Sequence, residues 1–151
     1  MRWTLKRFDE LTLDEFHDIL QLRINIFVVE QNCPYPELDD KDRFAYHFFG
    51  TAETGQIVAY TRIFEPGFNY KEASIGRVVV HDKFRHRKLG YELMSRSIGQ
   101  VEKLFDTREI RIGAQSHLKD FYGSLGFSST GEDYIEDGIP HTYMVLSDSN
   151  I

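Results

Sequence analysis

A basic segment at 81–90 has the composition of a phosphate-binding turn. Its permanent cations are Lys83, Arg85, Arg87 and Lys88, in a chain with a formal net charge of −6. It follows the apolar run 78–80 and precedes an apolar pattern of helical period, so it is predicted to join a strand to a helix N-terminus, where free amides and the helix dipole favour phosphate oxygens. Gly90 in the first helical turn permits close backbone approach. We therefore predict an anion site; the alternative is a solvated basic helix start.

A second segment, 121–127, carries a phenol that could act as an acid. It reads Phe-Tyr-Gly-Ser-Leu-Gly-Phe and belongs to a stretch of helical character. Tyr122 has the chemistry to protonate a departing group at the wall of a cleft. The alternative is a core aromatic residue whose hydroxyl finds a backbone partner.

Hydrophobic periodicity predicts the elements that must position these two segments. A capping box begins at Thr12, and Gly55, Gly126 and the turn at 137–138 indicate hairpin turns or helix ends. Adjacent β-branched residues at 78–80 favour a strand buried on both faces. The predicted elements are a strand at 2–8, a helix from Thr12 through Val28 that ends at 32–36, strands at 44–51, 56–64 and 73–80, a helix at 88–104, a strand at 109–114, a helix at 117–125, and a last antiparallel pair from Phe127 onward.

The order β-α-β-β-β-α-β-α-β-β predicts an α/β fold with a mixed sheet. The helix at 88–104 would cross over the sheet and make the strands before and after it parallel. A length of 151 residues fits one domain, 1–151.

Composition excludes several function classes. The net charge of −6 argues against nucleic acid as the main partner, and no apolar run approaches the length of a membrane helix. The first residues lack the apolar stretch of a secretory signal, so we expect a soluble cytoplasmic protein. A single Cys33 excludes an intramolecular disulfide, and the six His lack metal-ligand spacing, so we expect no metal.

The two chemical segments together resemble the motifs of the GNAT superfamily of N-acetyltransferases. Arg85-x-x-Lys88-x-Gly90 after 78–80 is similar to the acetyl-CoA-binding motif Gln/Arg-x-x-Gly-x-Gly/Ala, with Lys88 in the place of the first Gly. The segment 121–127 resembles the second signature, at the family's order and separation. The resemblance narrows to an ElaA-like subgroup and spans nearly the whole chain. Segments that carry it are 22–23, 27–35, 75–78, 113–115, 117–118 and 136–141, together with Lys88.

This resemblance implies a twisted mixed sheet in which strands 73–80 and 109–114 splay apart. Acetyl-CoA would enter that gap as acyl donor, its pantetheine arm pairing with the backbone at 78–80 and its pyrophosphate lying on the amides at 86–91. Tyr122 would protonate the CoA thiolate as it leaves. The implied cofactor-binding residues are Val78, Val79, Val80, Arg85, His86, Arg87, Lys88, Leu89, Gly90, Tyr91, Gln115 and Tyr122.

The activity implied is acetylation of a primary amine of a small molecule or peptide, by direct attack in a ternary complex. Candidates for the general base are Glu30, Asp39, His47, Glu72 and His141. Glu30 is favoured because a helix C-terminus is a poor place for an anion, although a salt bridge to Arg23 or Arg77 is the alternative.

The acceptor side is expected near the end of the first helix and on the last strands. Candidate substrate-binding residues are Glu30, Asp39, His47 and His141. The stretch from Arg23 through Asp42 also resembles the start of acyl-homoserine lactone synthases, which share the general fold. It suggests that the acidic loop borders the acceptor and attracts a cationic amine. For His47, which has apolar neighbours, a core histidine is the alternative.

Three other hypotheses remain open. The first is a CoA-binding sensor or scaffold without turnover, and the second is a site for phosphate ligands other than CoA. The third is covalent transfer through Cys33 with a His as base. Either a monomer or a homodimer is compatible with the sequence.

Overall fold

Strands and α-helices alternate along the chain in the order that periodicity predicts. The computed structural model describes residues 1–147, and for His86 and Arg87 it describes the backbone alone. The strands are β1 (Arg2–Arg7), β2 (Tyr46–Thr51), β3 (Ile57–Phe64), β4 (Ala73–Val80), β5 (Ile110–Gln115), β6 (Ser128–Glu136) and β7 (Ile139–Leu146), and the helices are α1 (Leu13–Ile24), α2 (Leu89–Phe105) and α3 (Lys119–Gly123). The predicted order β-α-β-β-β-α-β-α-β-β is confirmed.

The strands form one mixed sheet in the order β1-β2-β3-β4-β5-β7-β6. Strands β4 and β5, joined by the crossover helix α2, are parallel as predicted, and the other described pairs are antiparallel. The parallel pairing is short, since only Ala73 with Ile110 and Ser74 with Arg111 are in register. Beyond these two positions the strands diverge, and the sheet opens at its centre.

Local turn chemistry explains the element boundaries. The amide of Glu15 donates to Thr12 Oγ1 at 3.0 Å while the amide of Thr12 donates to Glu15 Oε1 at 2.9 Å, which is the predicted capping box at the start of α1. Asp137 and Gly138 both adopt positive φ, at 50° and 77°, as a tight turn between two twisted strands requires. The predicted capping box at Thr12 and the predicted turn at 137–138 are therefore confirmed.

The first helix differs from its prediction. The α-helix ends at Ile24, and residues Asn25–Glu30 form a π-helical turn. At its end the amides of Gln31 and Cys33 donate to the carbonyls of Ile26 and Val28, each five residues back, at 3.2 and 3.0 Å. Asn25 and the β-branched residues that follow it have a low helix propensity, which weakens a regular helix at this place. Uniform spacing of the apolar residues hid this change.

Two apolar clusters cover the two faces of the sheet. The larger lies under α2, and the smaller packs Ile19 and Leu22 of α1 against Tyr60 and Val79. The prediction that 78–80 is buried on both faces is wrong in part, because only Val79 is fully buried and its two neighbours are half-buried. The reason is that β5 has parted from β4 at this level.

A buried network of charges anchors the loop between α1 and β2 to the sheet. Arg23 is fully buried, and it donates from Nε to Glu37 and from Nη1 to Asp42, the latter at 2.9 Å. Arg62 on β3 donates to Asp42 at 2.9 Å and to Asp39 at 2.7 Å. Removing one partner of such a buried pair costs about 3–5 kcal/mol, because a charge is left uncompensated.

No helix within 1–147 combines the length and apolarity of a membrane span.

His47 lies against this network on β2. Its side chain is 0% exposed, with Nε2 2.9 Å from the carbonyl oxygen of Asp42 and Nδ1 2.6 Å from the hydroxyl of Tyr60. A neutral imidazole that donates from Nε2 and accepts at Nδ1 satisfies both bonds. Burial lowers the pKa of His47, and Arg23 and Arg62 act in the same direction, against the opposing effect of Asp42.

The free energy of unfolding is expected to fall as the pH is lowered from 7 to 5. An unfolded His binds a proton below about pH 6.5, whereas folded His47 stays neutral to a lower pH. Proton binding therefore stabilises the unfolded state, and the free energy of unfolding falls by up to about 1.4 kcal/mol for each pH unit below that point. Urea unfolding of His47→Gln should show a shallower pH dependence than the parent chain. The matched variant His17→Gln alters an exposed imidazole and should keep the parent slope; equal slopes in parent and His47→Gln would contradict the assignment.

Candidate active site

The divergence of β4 and β5 creates a cleft of about 510 Å³. Its walls come from both strands, from the π-helical turn and the loop after it, and from the β6–β7 hairpin. Val78 and Gln115 line it from the two parted strands, and Tyr122 lines it from α3. The opening is at the carboxyl ends of parallel strands, which is where open α/β sheets bind ligands.

The end of β4 turns part of its backbone toward this cleft, because β5 has parted from it beyond Ser74. In an antiparallel ladder alternate residues direct both their N–H and C=O groups to the same neighbour. The amide of His81 donates to the carbonyl of Val58 on β3 at 2.8 Å, and Val79 pairs with Tyr60 in the same ladder. Val80 therefore directs its backbone groups away from β3 and toward the gap. The register of β3 with β4 shifts between Tyr60 and Arg62, opposite Arg77 and Val78, so this alternation does not extend to Val78, which lines the cleft.

The N-terminus of α2 lies at the end of β4 and has no side-chain cap in the described structure. Lys88, which precedes it, adopts φ +55°, the left-handed region in which Gly is favoured. The left-handed conformation explains why the acetyl-CoA-binding motif has Gly at this place. It also explains why Lys88, which has a Cβ, is strained there. Gly90 has room for a Cβ, with Phe121 at 3.7 Å, so packing within the protein does not demand a Gly. The side chains of His86 and Arg87 lie outside the described residues.

Arg85 links the cleft mouth to the end of the π-helical turn. Its Nε donates to the carbonyl of Val80 at 3.2 Å, and its Nη2 donates to Glu30 at 2.7 Å. Glu30 thus forms an ion pair with Arg85, instead of the alternative partners Arg23 or Arg77, and the described cleft lining does not include it. Both side chains are partly exposed, so the pair adds little stability.

Tyr122 presents a neutral phenol to the cleft. Its side chain is 6% exposed, and burial raises its pKa to about 12. Phe121 and Phe127 contact its ring edge to face, and no group in the described structure hydrogen-bonds its hydroxyl. The alternative of a core Tyr with a backbone partner is therefore not what the structure shows. A phenol that is protonated at neutral pH and has a free hydroxyl can donate a proton.

His141 lies on the opposite wall, in register with Gln115. Its Nδ1 is 2.7 Å from the carbonyl oxygen of Ile139, so in the neutral ring Nδ1 carries the proton and Nε2 keeps its lone pair. Nε2 is 3.8 Å from Glu136, and the imidazole stacks on the ring of Tyr134 at 5.2 Å. This arrangement fixes the tautomer that can accept a proton.

The remaining predicted site residues lie outside the cleft lining of the described chain. His47 is buried against Tyr60, Asp39 pairs with Arg62, and Glu72 pairs with Arg111 at 3.4 Å. Hydrogen bonds from Arg62 and the charge of Arg77 outweigh burial and hold the pKa of Asp39 below its usual range. The acidic loop is thus neutralised by arginines.

The cleft lining includes three side chains that no motif in the sequence indicates, namely Arg111, Tyr70 and Tyr134. Cys33, a candidate nucleophile from the sequence, also lines the cleft, and its Sγ donates to the carbonyl of Asp137 at 3.4 Å. The period-2 alternation of β5 could have placed Arg111, Gly113 and Gln115 on one face. The loop that holds Tyr70 and the edge strand that holds Tyr134 had no such signal.

A sheet that opens between two parallel strands, beside a strand-to-helix turn with free amides, is the architecture of an acyltransferase of the GNAT type. A model of the family described as acetyltransferase (GNAT) domain matches residues 28–147. The chain therefore belongs to the GNAT family.

Its relatives agree with this assignment. The Escherichia coli protein ElaA is 38% identical over 146 residues, which cover 95% of each chain. The crystal structure of that ElaA superposes with a TM-score of 0.89 at 36% identity, covering 97% of this chain and 99% of the other. The crystal structure of an acyl-CoA N-acyltransferase from Pseudomonas aeruginosa gives a TM-score of 0.90 at 39% identity, covering 97% of this chain and 100% of the other. The resemblance to GNAT enzymes and to the ElaA-like subgroup is confirmed.

Lys88→Gly is expected to raise the free energy of unfolding by about 0.5–1 kcal/mol. Gly removes the cost of a left-handed residue that has a Cβ, about 1–2 kcal/mol, and gives back part of it as chain entropy in the unfolded state. Urea denaturation measures the change. Lys88→Ala removes the same charge but keeps the Cβ, so it should not stabilise; an equal gain in both variants would show that charge and not φ is the cause.

Proposed function

We propose that this chain transfers an acetyl group from acetyl-CoA to a primary amine of a small molecule or peptide by direct attack. The observation that carries the proposal is the cleft between β4 and β5, which is lined both by Val78 of β4 and by Tyr122, whose hydroxyl has no partner in the described structure. A cytoplasmic location fits this chemistry, because a reducing compartment keeps thiols free.

The residues present suit the acyl donor. Val78 and Val80 would pair with the amides of its pantetheine arm as an added strand does, and the backbone at 86–91 would hold its pyrophosphate at the N-terminus of α2. Arg85 and Gln115 would contact it from either side of the gap. When bound, the donor supplies an acetyl group activated as a thioester.

His141 is our choice for the general base. Of the five candidates by type, it is the one that lines the cleft in the described structure. Its Nε2 lone pair is available because Nδ1 is committed to the carbonyl of Ile139. Glu136, at 3.8 Å, would stabilise the imidazolium that forms. Glu30, favoured as the base from the sequence, forms an ion pair with Arg85 and does not line the cleft. We therefore assign the general base to His141.

The reaction must remove two protons from an acceptor that is an ammonium ion at neutral pH. His141 Nε2 takes the first proton, directly or through water, and passes it to solvent. The neutral amine nitrogen then attacks the thioester carbonyl carbon, and a new C–N bond forms as the C–S bond breaks. The second proton leaves that nitrogen through water and replaces the one that Tyr122 gives up. A backbone amide of β4 between Val78 and Val80 would stabilise negative charge on the carbonyl oxygen. Tyr122 donates its proton to the departing sulfur, and the products are an N-acetylated amine and a free thiol.

Tyr122→Phe is expected to lower kcat about a hundredfold, because the thiolate then leaves without a proton donor. The assay follows thiol release from acetyl-CoA in the presence of a panel of primary amines, and calorimetry follows acetyl-CoA binding, which should change little. Tyr46→Phe removes a phenol outside the cleft and should behave as the parent chain.

Each outcome of this assay decides between functions. Amine-dependent thiol release supports an acetyltransferase. Tight acetyl-CoA binding without such release in the parent chain would instead support a sensor or scaffold. No heat on titration with acetyl-CoA would exclude both.

His141→Asn is expected to lower kcat/KM about a hundredfold for ethylamine, which is protonated at neutral pH and needs a base. The loss should be smaller for trifluoroethylamine, which is already neutral. Asn keeps a polar side chain of similar reach, so a purely structural role would reduce both rates equally. Equal losses for the two amines would therefore contradict the assignment of His141 as base.

A further inference from the structure

One face of the sheet carries a column of side chains in the part of the cleft that β5 and the β6–β7 hairpin line. Its lower level is Arg111 on β5, its middle level is Tyr143 and Tyr134 around Gly113, and its upper level is His141. The guanidinium of Arg111 is 5.8 Å from the ring of Tyr143, which lies 4.4 Å from the ring of Tyr134. The aromatic rings therefore connect a fixed cation to the proposed base.

Arg111 differs from the other arginines of the cleft lining. Arg62 and Arg77 are held by carboxylates, Arg62 by Asp39 and Asp42, and Arg77 by Glu37 with Nε at 3.0 Å. Arg111 makes one long contact, from Nε to Glu72 at 3.4 Å, and neither of its terminal nitrogens donates a hydrogen bond to any residue of the described chain. Its side chain is 27% exposed in the cleft. A guanidinium held at Nε with both terminal nitrogens free matches a bidentate carboxylate.

Neutral phenols surround this guanidinium. Tyr70 and Tyr143 contact each other edge to face at 6.0 Å, and the centre of the Arg111 guanidinium lies 5.9 Å from the ring of Tyr70. Burial raises the pKa of Tyr70 and of Tyr134, and the neighbouring charge of Glu136 acts in the same direction. The hydroxyls therefore remain protonated and can donate to an anion.

The two ends of the column carry different charged groups. Glu136 and the imidazole of His141 lie at the upper end, where an ammonium group would be attracted and deprotonated. Arg111 lies at the lower end, where Glu72 contacts its Nε and leaves both terminal nitrogens for an anion. The polarity of the column thus matches a molecule that carries an amine at one end and an acid at the other.

The spacing of the column sets the length of that molecule. Arg111 and Gln115, the partner of His141, are four residues apart on β5, which is about 13 Å at about 3.3 Å per residue. The side chains shorten this span, but two aromatic residues still stand between the charged ends. An α-amino acid, with both groups on one carbon, is too short to reach both.

We propose that Arg111 binds a carboxylate of the acceptor, and that the acceptors of this protein are extended amino acids whose amine and carboxylate lie several carbons apart. This inference rests on the acetyltransferase function proposed above and names the substrate class of the same cleft. Arg111 acts as a substrate-binding residue, and Glu72 positions it.

A matched pair of acceptors tests the proposal. With the parent chain, kcat/KM for 6-aminohexanoate should exceed that for hexylamine, which has the same amine and no acid, by about tenfold or more, and glycine should be a poor acceptor. Arg111→Gln should reduce the ratio of 6-aminohexanoate to hexylamine to about one, and Arg111→Lys should keep part of it. Lys41→Gln removes an exposed cation from the same cleft and should leave the ratio as in the parent.

A binding measurement separates this inference from the function on which it rests. Hexanoate, which has no amine, should bind the parent chain in calorimetry and should lose that binding in Arg111→Gln, whether or not any amine is acetylated. Hexanoate binding without turnover would contradict the acetyltransferase and leave the carboxylate site standing. Amine acetylation with no preference for 6-aminohexanoate, or with a preference that survives Arg111→Gln, would overturn the carboxylate site alone.

Discussion

The short pairing of β4 with β5 leaves the centre of the sheet open, and this opening creates the site. A parallel pair normally satisfies its backbone groups along its length, and here register is kept only from Ala73 to Ser74 on β4. The groups that follow are left facing a cleft. The site is arranged around this opening, since the segment that follows β4 leads into the N-terminus of α2, and α3 contributes Tyr122 to the lining. A sheet without that divergence would offer no edge for a ligand.

A network of buried charges holds one wall of the opening in place. Arg23 and Arg62 bind the carboxylates of the loop after α1 and hold that loop over the sheet as one wall of the cleft. Asp39 and Asp42, which the sequence suggested could attract an amine, are paired with Arg62 instead. Charge that faces the acceptor comes instead from Glu136 and Arg111, which belong to the hairpin wall and to the floor. Electrostatics in the cleft therefore depend on Glu136, beside His141, and on Arg111, which Glu72 contacts at Nε alone.

Much of the fold and part of the site could be predicted from the sequence. Thr12, Gly126 and the turn before β7 identified element boundaries because capping and positive φ are local properties. The cleft-facing positions of Val78 and Tyr122 followed from motifs whose residues are close in sequence. Partnerships across the fold could not be predicted in the same way, so the ion pair of Glu30 with Arg85 was unexpected.

Periodicity and turn chemistry act over a few residues, so the order of the elements, the crossover of α2 and the chemical character of the segments that border the gap are encoded locally in the chain. Which of these side chains meet depends on the folded arrangement. Arg85 and Glu30 are 55 residues apart, and Arg23 and Asp42 are 19 residues apart. Whether a charge is neutralised or free depends on such distant contacts, because the chain must fold before either partner can be near the other.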